Sequence, residues 1–387
     1  MDLEQFIAEQ NGMAFWREFT FTQLKFRVPQ GELELADNVV WFDNVAFVTQ
    51  MKEREVPTSD PDEERKWFEN KVMKSAVKQI SDSLRYLDTH GSIPVSNIRG
   101  TELEISGAAL REIHRVVIYK PALSLPSDCT ATHFKESRSA GFVHIFNDAA
   151  YARVLQTLIA PEEIRRYFEY RQTSLSELAQ MKIPVVEDDI LAAYASEEPV
   201  PSPASHKKLE RLLMEVEHYD LSSILRRLAD HIEAPRRGSD HSRIMVEFAK
   251  LPRSAWRAAK ERFDAALAAA RGGDSVRPYR FYFPASGCSF MFAPLHPYAL
   301  NDDDPIESRK RYLQTLTEVA KYMAKADRAV GVQISFMDEH FMIDWCLTIE
   351  PWVFDAQMED ALARSPFRPV REQKIDGFHF LDTRGDD

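Results

Sequence analysis

The sequence has little of what marks extracellular or membrane proteins. Three cysteines in 387 residues, Cys129, Cys288 and Cys346, are too few and too far apart for a disulfide framework or a thiolate zinc site. No apolar run approaches the roughly 18 residues of a membrane span. The first residues, MDLEQFIAEQNG, carry acids where a secretion signal has a basic start. We therefore expect a cytoplasmic protein that is neither secreted nor inserted in a membrane.

Basic residues are also in the minority. Lysine and arginine total 49 against 61 aspartate and glutamate, so the formal charge is −12. This balance weakens any general attraction to nucleic acid, because phosphate contacts depend on Lys and Arg. The distribution of charge matters more than its sum, since basic groups can line one channel while acids hold a metal. Net charge alone therefore does not exclude a nucleic-acid partner.

The composition and length are those of a globular protein with more than one domain. Hydrophobic residues make up 44% of the chain, which leaves ample volume for a core. Strand and helix patterns predict an α/β fold with an N-terminal domain over residues 1–175 and a C-terminal α+β domain over residues 241–387. The region between them, residues 176–240, is predicted to be polar, helical and interrupted by a proline-containing linker. Within the C-terminal domain, residues 244–250 are predicted to form a strand.

The most informative stretch is GELELADNVVWFDNVAFVTQMKER, which predicts two strands, over residues 35–42 and 45–51, joined by a tight turn. The second strand is almost wholly apolar, as expected of a strand that is buried on both faces. Because side chains alternate along a strand, Gln50 and Lys52 point to the same side. The neighbouring strand brings Asp37 to the same end. We therefore expect Asp37, Gln50 and Lys52 to face one site.

The chemistry of these three groups suits hydrolysis of a phosphodiester bond. Magnesium prefers hard oxygen ligands, so the carboxylate of Asp37 and the amide oxygen of Gln50 are suitable partners for it. A neighbouring ammonium group, here Lys52, can orient the attacking water and balance the charge that develops on the phosphoryl oxygens. The plain alternative is structural: Asp37 caps a turn, Gln50 satisfies a backbone edge and Lys52 belongs to a charged strand exit.

These residues resemble the motif of the PD-(D/E)xK nuclease superfamily, whose core is a helix, a hairpin bearing Asp and then (Glu/Gln)-x-Lys, a further helix and a strand. The form Gln50-Met51-Lys52 is similar to Mrr-type restriction endonucleases, NERD-like domains and uncharacterised bacterial proteins of this type. The resemblance covers about residues 1–120, and Ala36 stands where the family name has proline. It implies a restriction-endonuclease-like N-terminal core in which Asp37 and Gln50 bind Mg²⁺, or Mn²⁺ in its place, and Lys52 is the catalytic lysine.

The resemblance also implies an acid on the N-terminal helix. Glu4, Glu9 and Glu18 are all candidates, and Glu9 is the first choice by its distance from Asp37 along the chain. Glu34 is a further candidate if the strand begins with a bulge.

A long helix predicted over residues 62–87 follows the hairpin. It carries Lys71, Lys74 and Lys78 at helical spacing, away from its apolar face. By resemblance, Lys74 and Lys78, together with Gln79, are the candidates for DNA contact. An ordinary solvated stripe is the alternative interpretation.

The expected function is that of a Mg²⁺-dependent endonuclease that hydrolyses DNA, in defence against foreign DNA. The expected partners are DNA and a protein bound through the C-terminal domain, together with self-association if a one-site chain is to cut both strands. No GxxxxGK[ST] motif is present, so any ATP-driven motor would be a separate chain. Three alternatives stay open: a non-catalytic scaffold with a nuclease fold, a nuclease that is silent until a partner releases it, and an enzyme that acts on RNA.

Overall fold

Two β-sheets, each with its own helices, divide the chain into two units. The computed structural model describes residues 2–22, 24–29, 31–198, 203–230, 240–273, 277–295 and 304–363. Unit 1 is Met1–Met214 and unit 2 is Glu215–Asp387. The boundary falls inside the segment 176–240, so part of that segment belongs to each unit. Residues 199–202 and 231–239 of the segment lie outside the described residues.

Unit 1 is built on a mixed sheet. The strands of unit 1 are β1 (Thr20–Thr22), β2 (Lys25–Val28), β3 (Gly31–Glu34), β4 (Asn38–Phe42), β5 (Val45–Lys52), β6 (Ile93–Ser96), β7 (Glu102–Ile105), β8 (Glu112–Tyr119), β9 (Phe134–Ser137) and β10 (Gly141–Asn147). Six of them form a sheet in the order β1-β4-β5-β8-β10-β9, and β2-β3 and β6-β7 are separate hairpins. Strands β1, β4 and β5 are antiparallel neighbours, whereas β5, β8 and β10 run parallel.

Helices cover both faces of this sheet. They are α1 (Leu3–Ala14), α2 (Pro61–Trp67), a π-helical segment (Phe68–Ala76), α3 (Val77–Thr89), α4 (Ser127–Thr130), α5 (Asp148–Leu158), α6 (Pro161–Met181), α7 (Glu187–Ser196) and α8 (Pro203–Met214). On one face, Phe15 at the end of α1 packs against Phe42 and Phe47. On the other face, Phe68 and Val72 join the core formed with the strands. Strand β5 therefore lies between two layers of helix.

The predicted hairpin over residues 35–51 is confirmed, with one change at its start. Strands β4 and β5 pair antiparallel as far as Asn38 and Thr49, and seven of the eight residues of β5 are buried. The first strand begins at Asn38 rather than at Leu35. The reason is that the Leu35 N–H donates to the carbonyl of Leu24 at 2.8 Å, outside the β4–β5 ladder.

The long helix predicted over residues 62–87 runs from Pro61 to Thr89 without a break. Asp60 Oδ1 accepts a hydrogen bond from the Asp62 N–H at 2.9 Å, and Pro61 occupies the first turn, where no intrahelical N–H bond is lost. Residues 68–76 wind as a π-helix, so each turn there holds more residues than an α-helical turn. This winding changes which residues share a face.

Unit 2 contains a second sheet. Its elements are α9 (Ser222–Asp230), α10 (Asp240–Ala249), α11 (Arg253–Gly272), β11 (Tyr279–Phe283), β12 (Cys288–Pro294), α12 (Pro305–Met323), β13 (Arg328–Met337), β14 (His340–Ile349) and α13 (Ala356–Ala363). The strands follow the order β11-β12-β13-β14, with β12 and β13 parallel and the other pairs antiparallel. Phe263 of α11 packs on one face against Phe292, and Leu313 of α12 packs on the other against Met291. The C-terminal region is therefore a sheet domain of its own.

The strand predicted over residues 244–250 is wrong, because this segment lies in helix α10. Its run of apolar and β-branched residues has the composition of a buried strand. In the structure Ile244, Met245 and Phe248 are buried, at a spacing that puts them on one side of a helix. Phe248 packs edge-on against Phe290 of β12.

Helices and strands together make a mixed α/β fold, as the sequence predicts. Among the described residues, no helix is both long enough and apolar enough to cross a membrane.

Candidate active site

Asp37, Gln50 and Lys52 meet at the open end of the β4–β5 hairpin. The register of the hairpin places Asp37, one residue before β4, opposite Gln50. The Met51 N–H donates to Asp37 Oδ2 at 2.6 Å, and Lys52 Nζ lies 3.9 Å from the same oxygen. The structure therefore brings the three residues of the motif together.

Gln50 offers an oxygen atom without a hydrogen-bond partner. Its side chain is 3% exposed, and Oε1 accepts no hydrogen bond from any residue that the structure describes. Leaving a buried amide oxygen unpaired is unfavourable by about 1 to 3 kcal/mol. A cation or a water molecule bound there would satisfy this atom. An acceptor oxygen is therefore open to a ligand at this position.

The carboxyl group of Asp37 is largely removed from water, and this burial disfavours its ionised form. Burial raises the pKa of Asp37 above its usual value and outweighs the hydrogen bond from Met51 and the positive charge of Lys52, which both lower it. Its other carboxylate oxygen, Oδ1, has no partner within the described ranges. One oxygen of Asp37 is thus fixed by the backbone while the other remains available to a ligand.

Glu4, in the first turn of α1, is the acid from the N-terminal helix that interacts with this group. The pKa of Glu4 is raised first by burial and then by the negative charge of Asp37, with further contributions from Asp2 and Glu34. The ammonium group of Lys52 lowers it. The interactions with Asp37 and Lys52 mean that Glu4 belongs to the same cluster of charges.

Glu9 does not take this place, although it is the first choice from sequence. Its Oε1 accepts a hydrogen bond from Gln5 Nε2 at 3.3 Å. Five residues separate it from Glu4, which corresponds to a rotation of about 140° around an α-helix. The third candidate, Glu18, is buried and forms an ion pair with Arg99.

Glu53 fixes helix α1 to the ends of two strands. Its Oε2 accepts a hydrogen bond from the Leu3 N–H at 2.8 Å, and its Oε1 accepts one from Lys120 Nζ at 2.5 Å. The hydrogen bond from Lys120 is the main reason that the pKa of Glu53 is lowered. Because Leu3 precedes Glu4, this carboxylate ties the helix turn that carries Glu4 to the ends of β5 and β8.

An open cleft with a volume of about 840 Å³ adjoins these residues. Glu4 and Lys52 line it directly, and Asp37 adjoins it through Lys52. The lining residues are Asp2, Leu3, Glu4, Met51, Lys52, Glu53, Arg54, Glu55, Val56, Trp67, Lys71, Ser75 and Gln79. The walls of the cleft are thus the start of α1, the end of β5 and the helical segment over residues 61–89. Pockets that bind small organic ligands are of similar volume.

Every fourth residue of the helical segment faces the cleft: Trp67, Lys71, Ser75 and Gln79. In an α-helix with 3.6 residues per turn, each step of four residues advances by about 40° beyond a full turn. The π-helical segment holds more residues per turn and offsets this drift. The four side chains therefore stay on one side of the helix.

Of the three residues proposed from sequence for DNA contact, Gln79 lines the cleft, whereas Lys74 and Lys78 do not. Lys74 is exposed and donates to Asn70 Oδ1 at 3.2 Å, and Lys78 is also exposed. Lys71, the third lysine of the predicted stripe, is the one that reaches the cleft. Sequence reasoning also missed Trp67, whose apolar character suggests only the core.

A second polar cluster is buried in unit 1 and has no residue in the cleft. Arg171 and Glu187 form a bidentate ion pair, with Nε to Oε1 at 2.8 Å and Nη2 to Oε2 at 2.9 Å. Arg171 also donates to His144 Nδ1 at 3.0 Å, and burial lowers the pKa of His144 well below its usual value. His133 Nε2 lies 2.8 Å from the carbonyl of Val185. These contacts link helices α6 and α7 to the sheet.

Within the described ranges, no group of three or more His, Cys, Asp and Glu side chains is arranged to hold a metal ion. A site at the hairpin would use a different set of ligands, with an amide oxygen beside carboxylates. No protein-family model, curated protein or solved structure compared with the chain matches it.

Proposed function

We propose that this protein is a metal-dependent nuclease that hydrolyses phosphodiester bonds of DNA. The observation that carries the proposal is the convergence of Asp37, Gln50 and Lys52 beside an open cleft. A scaffold has no need to keep a buried carboxylate of raised pKa next to an unpartnered amide oxygen. Unfavourable groups of this kind cluster at functional sites.

The order of elements in unit 1 supports the same proposal. Helix α1 is followed by the antiparallel strands β1, β4 and β5, then by a long helix and by β8, which pairs parallel with β5. The PD-(D/E)xK resemblance implies a helix, a hairpin with the motif, a second helix and a further strand. The motif lies on the corresponding hairpin.

The residues present fit a hard divalent cation such as Mg²⁺, with Mn²⁺ as a substitute. The carboxylates of Asp37 and Glu4 and the unpartnered Oε1 of Gln50 are all oxygen donors, as such ions require. When bound, the cation would supply Lewis-acid polarisation of the phosphate and stabilise the charge of the leaving oxygen.

The roles of the protein's own groups follow from their positions. Lys52 would hold the attacking water at the mouth of the cleft and balance negative charge on the phosphoryl oxygens. The backbone N–H of Met51 holds Asp37 Oδ2 in place, so the carboxylate does not need to reorganise when substrate binds. Glu53 keeps α1, and with it Glu4, against the end of β5.

The experiment is a cleavage assay on circular plasmid DNA and circular single-stranded DNA, with Mg²⁺ or Mn²⁺. Wild type should cut, and Lys52→Met and Asp37→Asn should each lower the rate by at least about 100-fold. Lys74→Met is the matched control, because this lysine is exposed and lies outside the cleft. Circular dichroism checks that all variants are folded.

Equal activity in wild type and both site variants would place the activity elsewhere and overturn the assignment. A wild type that stays inert on DNA with either metal would favour a scaffold or a partner-gated nuclease instead. We place the enzyme in the cytoplasm, where cutting foreign DNA is the role that the resemblance implies.

A further inference from the structure

We propose that the cleft binds an unpaired DNA strand and that Trp67 is the platform on which one of its bases stacks. This inference rests on the proposed nuclease function and names the form of DNA that the site takes. Three observations support it: the position of Trp67, the row of polar residues that follows it along the helix (Lys71, Ser75 and Gln79), and the charge of the cleft.

Trp67 presents an aromatic surface to the cleft. Its side chain is half-buried, packs with one part against the core and lines the cleft with another. Its ring contacts no other aromatic ring and its indole N–H has no acceptor in the part of the chain that the structure describes. A large ring that is fixed by the core and not covered by another ring is suited to stacking with a nucleobase.

The line that starts at Trp67 continues with groups that suit a sugar-phosphate backbone. Lys71 supplies an ammonium group, and it forms no ion pair with any described residue. Ser75 supplies a hydroxyl and Gln79 an amide NH₂ group, and both can donate hydrogen bonds to phosphate oxygens. The thirteen residues from Trp67 to Gln79 are separated by twelve steps of about 1.5 Å, so they span at most about 18 Å along a helix axis. That length matches roughly five nucleotides at a rise of about 3.4 Å each.

The charge of the cleft disfavours a duplex. Its lining contains four acids, Asp2, Glu4, Glu53 and Glu55, against three bases, Lys52, Arg54 and Lys71. Arg54 is moreover paired with Glu64 at 3.1 Å. Duplex DNA carries one negative charge per about 1.7 Å and is held mainly by cations, which this lining does not supply in excess. Base stacking contributes to binding without depending on net charge, and only a strand with unpaired bases can use it, so Trp67 favours a single strand over a duplex.

The test measures binding without cleavage. A fluorescently labelled twelve-nucleotide single strand and its blunt duplex are titrated with the full-length protein in EDTA, and binding is followed by anisotropy. We expect the single strand to bind at least tenfold more tightly than the duplex. Trp67→Leu should weaken single-strand binding by about 5- to 150-fold and leave duplex binding unchanged. Trp67→Phe, which keeps an aromatic ring, should lose less.

The two neighbouring lysines provide a matched pair. Lys71→Ala should reduce the slope of log K against log salt for the single strand by about 0.7, and Lys74→Ala should leave it unchanged. Equal affinity for both DNA forms, or a Trp67→Leu variant that is folded and binds like wild type, would overturn the inference. Because no metal is present, these results do not depend on cleavage, so failure of the nuclease proposal in the plasmid assay is seen separately.

Discussion

At the scale of single residues, the ionised carboxylate of Asp37 lowers the stability of the folded protein. Its folded-state pKa lies above 3.8, chiefly because of burial. A raised pKa means that the folded state favours the protonated carboxyl. The stabilising contribution of the protonated form is therefore fully present below pH 3.8 and is lost as the pH rises through the folded-state value. At neutral pH the ionised group opposes folding.

Asp37→Asn should therefore stabilise the protein at pH 7 while it removes activity. Asparagine keeps an oxygen that can accept from the Met51 N–H and removes the buried charge. We expect the free energy of unfolding in urea to rise by roughly 0.5 to 2 kcal/mol at pH 7 and by less at pH 4. Asp88→Asn, an exposed residue on α3, is the control and should change little. A loss of stability on Asp37→Asn at pH 7 would contradict this account of the carboxyl group.

Glu4 and Glu9 offer a second residue-level prediction. Glu4→Gln should lower the metal-dependent cleavage rate by about 10- to 100-fold and raise the Mg²⁺ concentration needed for half-maximal activity, because Glu4 interacts with Asp37 and Lys52. Glu9→Gln, which lies about 140° around the same helix from Glu4, should behave like wild type. Titration of the rate with Mg²⁺ measures both. Equal loss in the two variants would count against the assignment of Glu4.

The difference between Glu4 and Glu9 shows where sequence reasoning stops at this scale. Gln50, Lys52 and Asp37 could be predicted as neighbours, because alternation along a hairpin decides which side chains share a side. The orientation of α1 depends instead on Glu53, which binds the Leu3 N–H across 50 residues of sequence. A contact at that separation leaves no periodic pattern in the chain.

At the scale of elements, helices α6 and α7 are joined by the buried ion pair of Arg171 and Glu187. Burial alone would raise the pKa of Glu187, but Arg171, His133 and Tyr167 outweigh it and lower this pKa to about 2. Because the folded-state pKa is lowered, the stabilisation is present above pH 4.5 and is lost as the pH falls towards 2.

Glu187→Gln should destabilise the protein by about 3 to 5 kcal/mol at pH 7, since it leaves the buried guanidinium of Arg171 without its counter-charge. The difference from wild type should shrink as the pH falls below 4.5. Urea unfolding across this pH range is the measurement. Glu169→Gln is the matched control, because Glu169 pairs with Arg165 on the surface, where an ion pair contributes no more than about 1 kcal/mol. Similar losses in the two variants would contradict the structural role given to Glu187.

The helical segment over residues 61–89 shows the limit of sequence reasoning at the element scale. Its extent could be predicted, because a cap, a first-turn proline and an apolar face are local signals. The π winding of residues 68–76 could not, since FENKVMKSA contains no glycine or proline that would indicate an irregular turn. The π winding decides which lysine faces the cleft, and as a result Lys71 rather than Lys74 reaches it.

At the scale of the whole molecule, every residue of the candidate site and of its cleft lies in unit 1. Unit 1 also has its own sheet and core. We therefore expect a fragment of residues 1–214 to fold and to retain metal-dependent cleavage within about tenfold of the full chain. Cooperative urea unfolding of the fragment and the plasmid assay test this together. A fragment that is folded but inert would mean that residues 215–387 are needed for the activity.

The central pairing of the unit 1 sheet has a consequence for how the protein folds. Strand β8 pairs with β5 from a position 67 residues later in the chain, as the contact between Glu53 and Lys120 also shows. Closing a loop of that length costs roughly 4 kcal/mol of chain entropy, and such distant parallel pairings form slowly. The hairpin that carries Asp37, Gln50 and Lys52 joins strands that are adjacent in the chain, so it can form before β8 pairs with β5. In a newly synthesised chain, the three motif residues would therefore come together before the sheet that supports the cleft is complete.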